Sequence, residues 1–217
     1  MQTGPDFRET HTLGDGTRVV LRHIRPEDSA DLARDFARLS PESRYRRFLG
    51  GVTHLSDSAL RYLTEVDGRD HVAIVATCDS PDLKTETGLG VARFVRLHDE
   101  PTVAEAAVTV ADDVQRRGLG RLLAATLAIA AHERGIRSFR AEVLADNEPM
   151  VSLLHEVGAR AIRSDSGVIT FDIPLEPWKD VRGGAIDRLF HAAAGSVAVL
   201  LRRLALPPPA PPENRAG

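Results

Sequence analysis

The residues best equipped for chemistry lie in one short stretch, Gln115-Arg116-Arg117-Gly118-Leu119-Gly120, followed by Arg121. Glycines between a strand and a helix let the backbone come close to a ligand. The first turn of a helix has N–H groups with no partner inside the helix, and its dipole adds about half a positive charge. Arg116, Arg117 and Arg121 add full charges. The combination suits a phosphate, above all a pyrophosphate. Two common phosphate loops are ruled out by named residues. A nucleoside triphosphate loop needs Lys and then Ser or Thr after its last glycine, where Arg121 and Leu122 stand. A dinucleotide loop needs a third glycine, where Leu123 stands. A plain glycine turn opening a helix is the alternative for the hexapeptide taken alone.

The surrounding pattern positions that stretch. Residues 1–16 are polar and glycine-containing and read as a loose leader ending in a turn, and Arg18 to Ile24 reads as a first strand. Helix starts are signalled at Pro26, at Ser40-Pro41-Glu42 and at Ser56. The period then changes. His71 to Thr77 suits a buried strand, Asp79 to Thr87 a solvated loop, and Gly88 to Leu97 and Val103 to Ala111 two further strands. Gly118 to Glu133 is strongly helical, with Leu119, Leu123 and Leu127 on one face. Ser138 to Leu144 is a strand, Glu148 to Val157 a helix stopped by Gly158, and Gly167 to Ile173 a last strand. The expected fold class is therefore α/β, with a mixed sheet flanked by helices.

With that order in place, QxxGxG after a strand resembles the acyl-CoA pyrophosphate loop of the GNAT acetyltransferases. The resemblance narrows further. RPEDSADLARDFARLSPESRYRRF, LSDSALRYLTEVDGRDHVAIVA, AEAAVTVADDVQRRGLGRLL, AEVLADNEPM and GVITFDI are similar to the catalytic domain of bacterial, especially actinobacterial, protein lysine acetyltransferases. It covers residues 17–175 and implies a mostly antiparallel central sheet in which two neighbouring strands splay apart to hold acyl-CoA. It also implies acetyl-CoA as co-substrate. Backbone near Val108, Thr109 and Val110 would hold the pantetheine arm, Gln115 to Arg121 the pyrophosphate, and Asn147 would lie near the pantetheine amides.

Acyl transfer to an amine requires removal of a proton, because a lysine with pKa ~10.4 is almost wholly charged at neutral pH. Glu105 is the candidate general base. By strand alternation it shares a face with Ala107 and Thr109, both small, while Ala106, Val108 and Val110 face the other way. The resemblance implies the same role for the glutamate of this AE position. Asp112 and Asp113 fit the turn before the loop instead. One departure concerns the acid. The tyrosine that protonates the thiolate in many members is replaced by Leu154, and the adjacent His155 points about 100° away on a helix. A thiolate with pKa near 8.5 can leave without strong acid help. The remaining histidines are scattered, with no HxH or HExxH spacing, so no metal is expected. Tyr45 and its neighbouring arginines read as a solvated helix face with Tyr45 half-buried, the alternative being the acceptor opening that the resemblance puts in this region.

Composition bounds the rest. The chain has 217 residues, 27% charged and 42% hydrophobic, and a formal net charge of -3. A fold-wide grip on nucleic acid is not expected. Cys78 is the single cysteine, which suits a reducing interior, and the N-terminus has no signal-peptide core, so a cytoplasmic protein is expected. Residues 183–205 read as an appended amphipathic helix, packed on the domain or on a twin chain in a homodimer, with a membrane surface as the alternative. Residues 206–217 read as a proline-rich disordered tail. Control by a fused sensor domain is not expected. The expected function is transfer of an acetyl group to lysine of a protein substrate, an acyl-CoA synthetase being one such partner by resemblance. The alternatives are acetylation of a small amine and a non-catalytic acyl-CoA sensor.

Overall fold

The computed structural model describes residues 2–38, 54–79, 86–146 and 148–175. Along them run β1 (Arg8–Thr12), β2 (Arg18–His23), α1 (Ser29–Arg38), α2 (Asp57–Thr64), β3 (His71–Asp79) and β4 (Glu86–Arg96). Then follow β5 (Val103–Val110), α3 (Leu119–Glu133), β6 (Ser138–Leu144), α4 (Glu148–Glu156), β7 (Arg160–Asp165) and β8 (Val168–Pro174). The strands form one eight-stranded sheet in the order β1-β2-β3-β4-β5-β6-β8-β7. Its neighbours are antiparallel except β5 and β6, which run parallel and are joined through α3.

Helices cover both faces, so the central strands are apolar throughout rather than alternating with polar residues. In β3, Val72, Ile74 and Ala76 join the main core, while Ala73 and Val75 pack with Ile24 on the opposite face. The main core lies under α3, where Leu119, Leu123 and Leu127 are buried and Ala124, Ala128 and Ala131 let the helix sit close to the sheet. The other face is covered by α1 and α2, anchored by Phe36 and Leu63. The start signals act as their chemistry predicts. The Ser56 hydroxyl accepts the Ala59 N–H at 3.2 Å, capping α2. Pro26 opens a single 3₁₀ turn, Pro26–Asp28, ahead of α1. Gly158 (φ 79°) ends α4, with its N–H donating to His155 O at 3.0 Å.

Three elements differ from the sequence reading. The stretch taken as a loose leader contains β1, a polar strand (RETHT) at the sheet edge, whose register pairs Arg8 with Arg22 and Thr12 with Arg18. An edge strand exposed on one side has no need of apolar residues, so it leaves no hydrophobic pattern. For the same reason β7 (RAIRSD), exposed along its whole length at the other edge, carries no signal. Its turn does: Ser166 and Gly167 both take positive φ, the two-residue hairpin geometry that matches strand twist. Third, β3 and β4 extend into the segment expected as loop, ending with Asp79 opposite Glu86. The helix start at Ser40, the Tyr45 block, Asn147, the 183–205 helix and the 206–217 tail lie outside the described residues.

Candidate active site

The parallel pair β5–β6 is joined over three rungs only: Val103 with Ser138, Ala104 with Phe139 and Glu105 with Arg140. Beyond them the strands take different partners. β5 stays with β4 as far as the Gly90–Val110 rung, while β6 stays with β8 as far as Leu144–Val168. A fork therefore opens after Glu105, with one edge of Ala106 to Val110 turned towards it and away from any ladder with β6. Backbone N–H and C=O groups on such an edge are donors and acceptors awaiting a partner. An extended, amide-bearing chain is the kind of ligand that fits them.

Glu105 stands at the closed end of this fork and is half-buried. The alternation expected from sequence is seen in the packing. Ala104, Ala106 and Val110 belong to the main core under α3, whereas Ala107 packs with Tyr62 and Val95 on the α2 side. Glu105 and Thr109 share that second face with Ala107. On the neighbouring β6, Arg140 is held bidentately by Asp172 (2.8 and 2.9 Å) and also bonds Glu100, which fixes it against β8 and the β4–β5 turn.

At the open end, β5 runs into a short 3₁₀ turn, Asp112–Val114, and then the glycine loop. Gln115 folds back, its amide donating to Val110 O (3.3 Å) and Asp112 Oδ1 (2.9 Å). It ties the loop to the strand end. Arg116 (φ 61°) and Gly118 (φ 89°) both take left-handed backbone, and Gly118 is the N-cap of α3, with no side-chain cap on the helix. The first-turn amides of α3 are thus left to an outside acceptor. Leu119 is buried at 1% exposure, so only its backbone can meet a ligand. Gly120 faces Val110, 3.6 Å from where its Cβ would be. Arg117 reaches Asp15 at 3.0 Å and Asp113 O at 2.7 Å, Arg116 is exposed, and Arg121 is half-buried. Asp112 and Asp113 belong to the turn, the latter 3.4 Å from Arg38. Leu154 is buried in the core, and exposed His155 lies edge-on to Phe171. Among the described residues no group of three or more His, Cys, Asp or Glu could hold a metal ion.

Sequence reasoning did not single out Arg93. It lies on the same face as Glu105, two rungs along, opposite Ala107. It is 1% exposed, donating to Leu63 O at 3.0 Å near the end of α2 and lying 3.1 Å from His71 Nε2. A cation suits a helix C-terminus. Burial pushes the Arg93 guanidinium down to about 10. The one available signal was a lone Arg inside GVARFV, an apolar strand. Burial, and then the Arg93 charge, push His71 down to about 4. The folded protein therefore refuses a proton that the unfolded chain accepts below its ordinary pKa of 6.5. Stability is fully present above that value and is lost as pH falls towards 4, by about 1–2 kcal/mol on going from near neutrality to about pH 5. Denaturant titrations at the two pH values are expected to show this loss in the wild type and a smaller one in His71→Gln.

The chain belongs to the GNAT acetyltransferase family: residues 18–160 match the family described as "Acetyltransferase (GNAT) domain". Among curated relatives it is similar to acetyltransferase Pat of Mycolicibacterium smegmatis, 37% identical over 166 residues, 75% of this chain and 47% of that protein. It is also similar to acetyltransferase PA5475 of Pseudomonas aeruginosa, 33% identical over 68% of this chain and 77% of that one. The chain thus spans about half the length of the Mycolicibacterium relative. Among solved structures, the GNAT domain of S. lividans PAT superposes with a TM-score of 0.66 at 30% identity, over 77% of this chain and 96% of that one. A cAMP-binding acyltransferase from Mycobacterium smegmatis gives 0.51 at 30% identity, over 88% and 55%. The acetyltransferase yncA from Salmonella typhimurium, solved with acetyl-CoA, shares the fold at 16% identity, with a TM-score of 0.52 over 73% and 94%. The mostly antiparallel sheet with one parallel, splayed pair is the architecture that the resemblance implies.

Proposed function

We propose that this protein transfers the acetyl group of acetyl-CoA to the side-chain amine of lysine in a protein substrate, by direct attack and with Glu105 as general base. The observation that carries the reading is the fork. A carboxylate-bearing residue stands at its closed end, and a glycine loop with free helix amides stands at its open end, with one unladdered strand edge between them. The pantetheine arm would lie along Ala106 to Val110, where Val108, Thr109 and Val110 offer backbone partners. The pyrophosphate would meet the amides of Gly118, Leu119 and Gly120, held in shape by Gln115. Arg116 and Arg121 flank them, and Arg117 can join. Its pair with Asp15 is exposed, and such pairs are worth about 0–1 kcal/mol, so a phosphate can displace it.

The reaction then needs two further contributions. Glu105, directly or through one water, takes one proton from the lysine ammonium so that the neutral amine attacks the thioester carbon, and the second proton that the nitrogen sheds passes to water as the tetrahedral adduct collapses. Backbone N–H of the fork edge stabilises the charge that builds on the thioester oxygen. The collapse returns an amide and the CoA thiolate, which leaves without a strong acid because its conjugate pKa is about 8.5. Leu154 offers no proton, so the leaving group relies on that acidity.

The protein-lysine acceptor is supported by the likeness to Pat and to the PAT GNAT domain. Labelled acetyl-CoA incubated with the protein and a cell extract split into macromolecular and small-molecule fractions tests it. Label is expected on lysine side chains of protein bands. Label confined to small amines would replace the lysine reading with a small-amine enzyme.

A further inference from the structure

A cavity opens beneath α1 on the same face of the sheet as Glu105, walled by apolar residues that include Leu32, Phe36, Val75 and Val91. Four carboxylates border it, and three of them are spent on neighbouring arginines. Asp28 and Glu86 bind Arg22 at 2.7 and 2.9 Å, and Asp31 binds Arg34 at 2.8 Å. Asp35 differs. The nearest cation to it among the described residues is Arg38, at 3.5 Å, and Arg38 also turns to Asp113. That distance lies well outside the ~2.7–2.9 Å of a charge-assisted hydrogen bond. Burial holds the Asp35 carboxyl above its ordinary value, with the Arg38 charge offsetting only part of that rise.

The floor beneath Asp35 is shaped for it. A Cβ on Gly88 would lie 2.0 Å from Asp35 Oδ2, so the carboxylate occupies the space that glycine leaves. Directly across the β3–β4 ladder from Gly88 is Thr77, which is 5% exposed and lines the same cavity. Among the described residues its hydroxyl is buried without a hydrogen-bond partner, as is that of Thr109, also in the lining. A buried hydroxyl left unsatisfied costs about 1–3 kcal/mol. A donor entering the cavity would satisfy Thr77 and neutralise Asp35 together.

The position of this pair decides what the donor is. Gly88 lies two residues beyond Gly90, the rung partner of Val110, whereas Glu105 lies five residues back along β5. Along the strand direction that is about 20 Å, at ~3.3 Å per residue. One amine cannot meet both carboxylates, so a cation at Asp35 is a different group from the amine being acetylated.

We propose that this cavity binds a second cationic side chain of the protein substrate, a lysine or arginine flanking the acetylated lysine, with Asp35 and Thr77 as its recognition groups. The apolar walls receive the methylene stem and the two oxygens receive the charged head. A span of about 20 Å corresponds to about six residues of extended chain. The inference rests on the protein-lysine reading.

The test uses peptides with one acceptor lysine and either arginine or alanine about five to seven residues away. For the wild type, kcat/KM is expected to be at least tenfold higher for the best arginine peptide than for its alanine twin. In Asp35→Asn that ratio is expected to fall to about one, whatever the absolute rate. Gly88→Ala, whose methyl would displace the carboxylate without removing its charge, is expected to lower the ratio too. Because the readout is a ratio within one protein, a general loss of activity does not imitate it. A wild-type ratio near one, or a ratio unchanged in Asp35→Asn, would overturn the inference and leave lysine acetylation standing. Wild type that labels small amines and none of the peptides would overturn the protein-lysine reading, and the inference with it.

Discussion

Glu105→Gln is expected to lower kcat for acetyl transfer by about 10²–10⁴, the contribution typical of a positioned general base. Glutamine keeps the size and polarity of the side chain at the closed end of the fork, so acetyl-CoA affinity is expected to stay within about threefold. The loss should shrink as pH rises. A free lysine amine titrates near 10.4, so each pH unit below that cuts the reactive fraction about tenfold, and the variant depends on that fraction alone. The measurement is CoA release against pH for both proteins, beside an equilibrium titration with acetyl-CoA. A loss of affinity matching the loss of rate would mean that Glu105 holds the fork's shape rather than a proton.

The second large effect is expected from Gly90→Val. Gly90 is the β4 residue opposite Val110, and a Cβ there would lie 2.7 Å from the Thr109 carbonyl oxygen and 3.0 Å from Leu123 Cδ1. The first contact is backbone and cannot rotate away. The strand must shift, in the segment that would carry the pantetheine arm. Overpacking of this kind costs about 1–3 kcal/mol. For a domain of this size that corresponds to roughly 2–4 °C in Tm for each kcal/mol. Acetyl-CoA affinity is expected to fall by tenfold or more, because the edge of Val108 to Val110 moves. Thermal unfolding and acetyl-CoA titration of the variant check both. A lower Tm with full affinity would separate the β4–β5 contact from the binding edge.

The parts of this molecule legible in the sequence are those whose residues act locally. A glycine turn opening a helix whose first-turn amides suit a phosphate could be read from six consecutive residues, and Gly118 indeed takes positive φ at the head of α3. The face shared by Glu105, Ala107 and Thr109 followed from the two-residue period of a strand. Helix starts at Pro26 and Ser56 followed from single residues whose chemistry satisfies or omits an N–H. The edge strands β1 and β7 were not legible, because a strand with no fully buried side chain needs no apolar pattern. Nor was the cavity under α1. Asp35, Thr77 and Gly88 come from a helix and two strands, and nothing within any one of them signals the others. Thr77 and Gly88 end the two strands read from sequence, but that they face each other follows from the β3–β4 register, which no single strand reveals. Arg93 shows the middle case. Its type was conspicuous in an apolar strand, but its partners, Leu63 O and His71, are set by the tertiary fold.

Amide hydrogen exchange with and without acetyl-CoA tests the fork most directly. The α3 first-turn amides and the unladdered edge of β5 exchange readily when they meet only water, and slow when a ligand accepts from them. Slowed exchange at Gly118 to Arg121 and within Ala106 to Val110, with little change in the residues around Asp35, is the expected result. Protection centred on the cavity under α1, with residues 106–110 and 118–121 unchanged, would contradict it and place the co-substrate elsewhere.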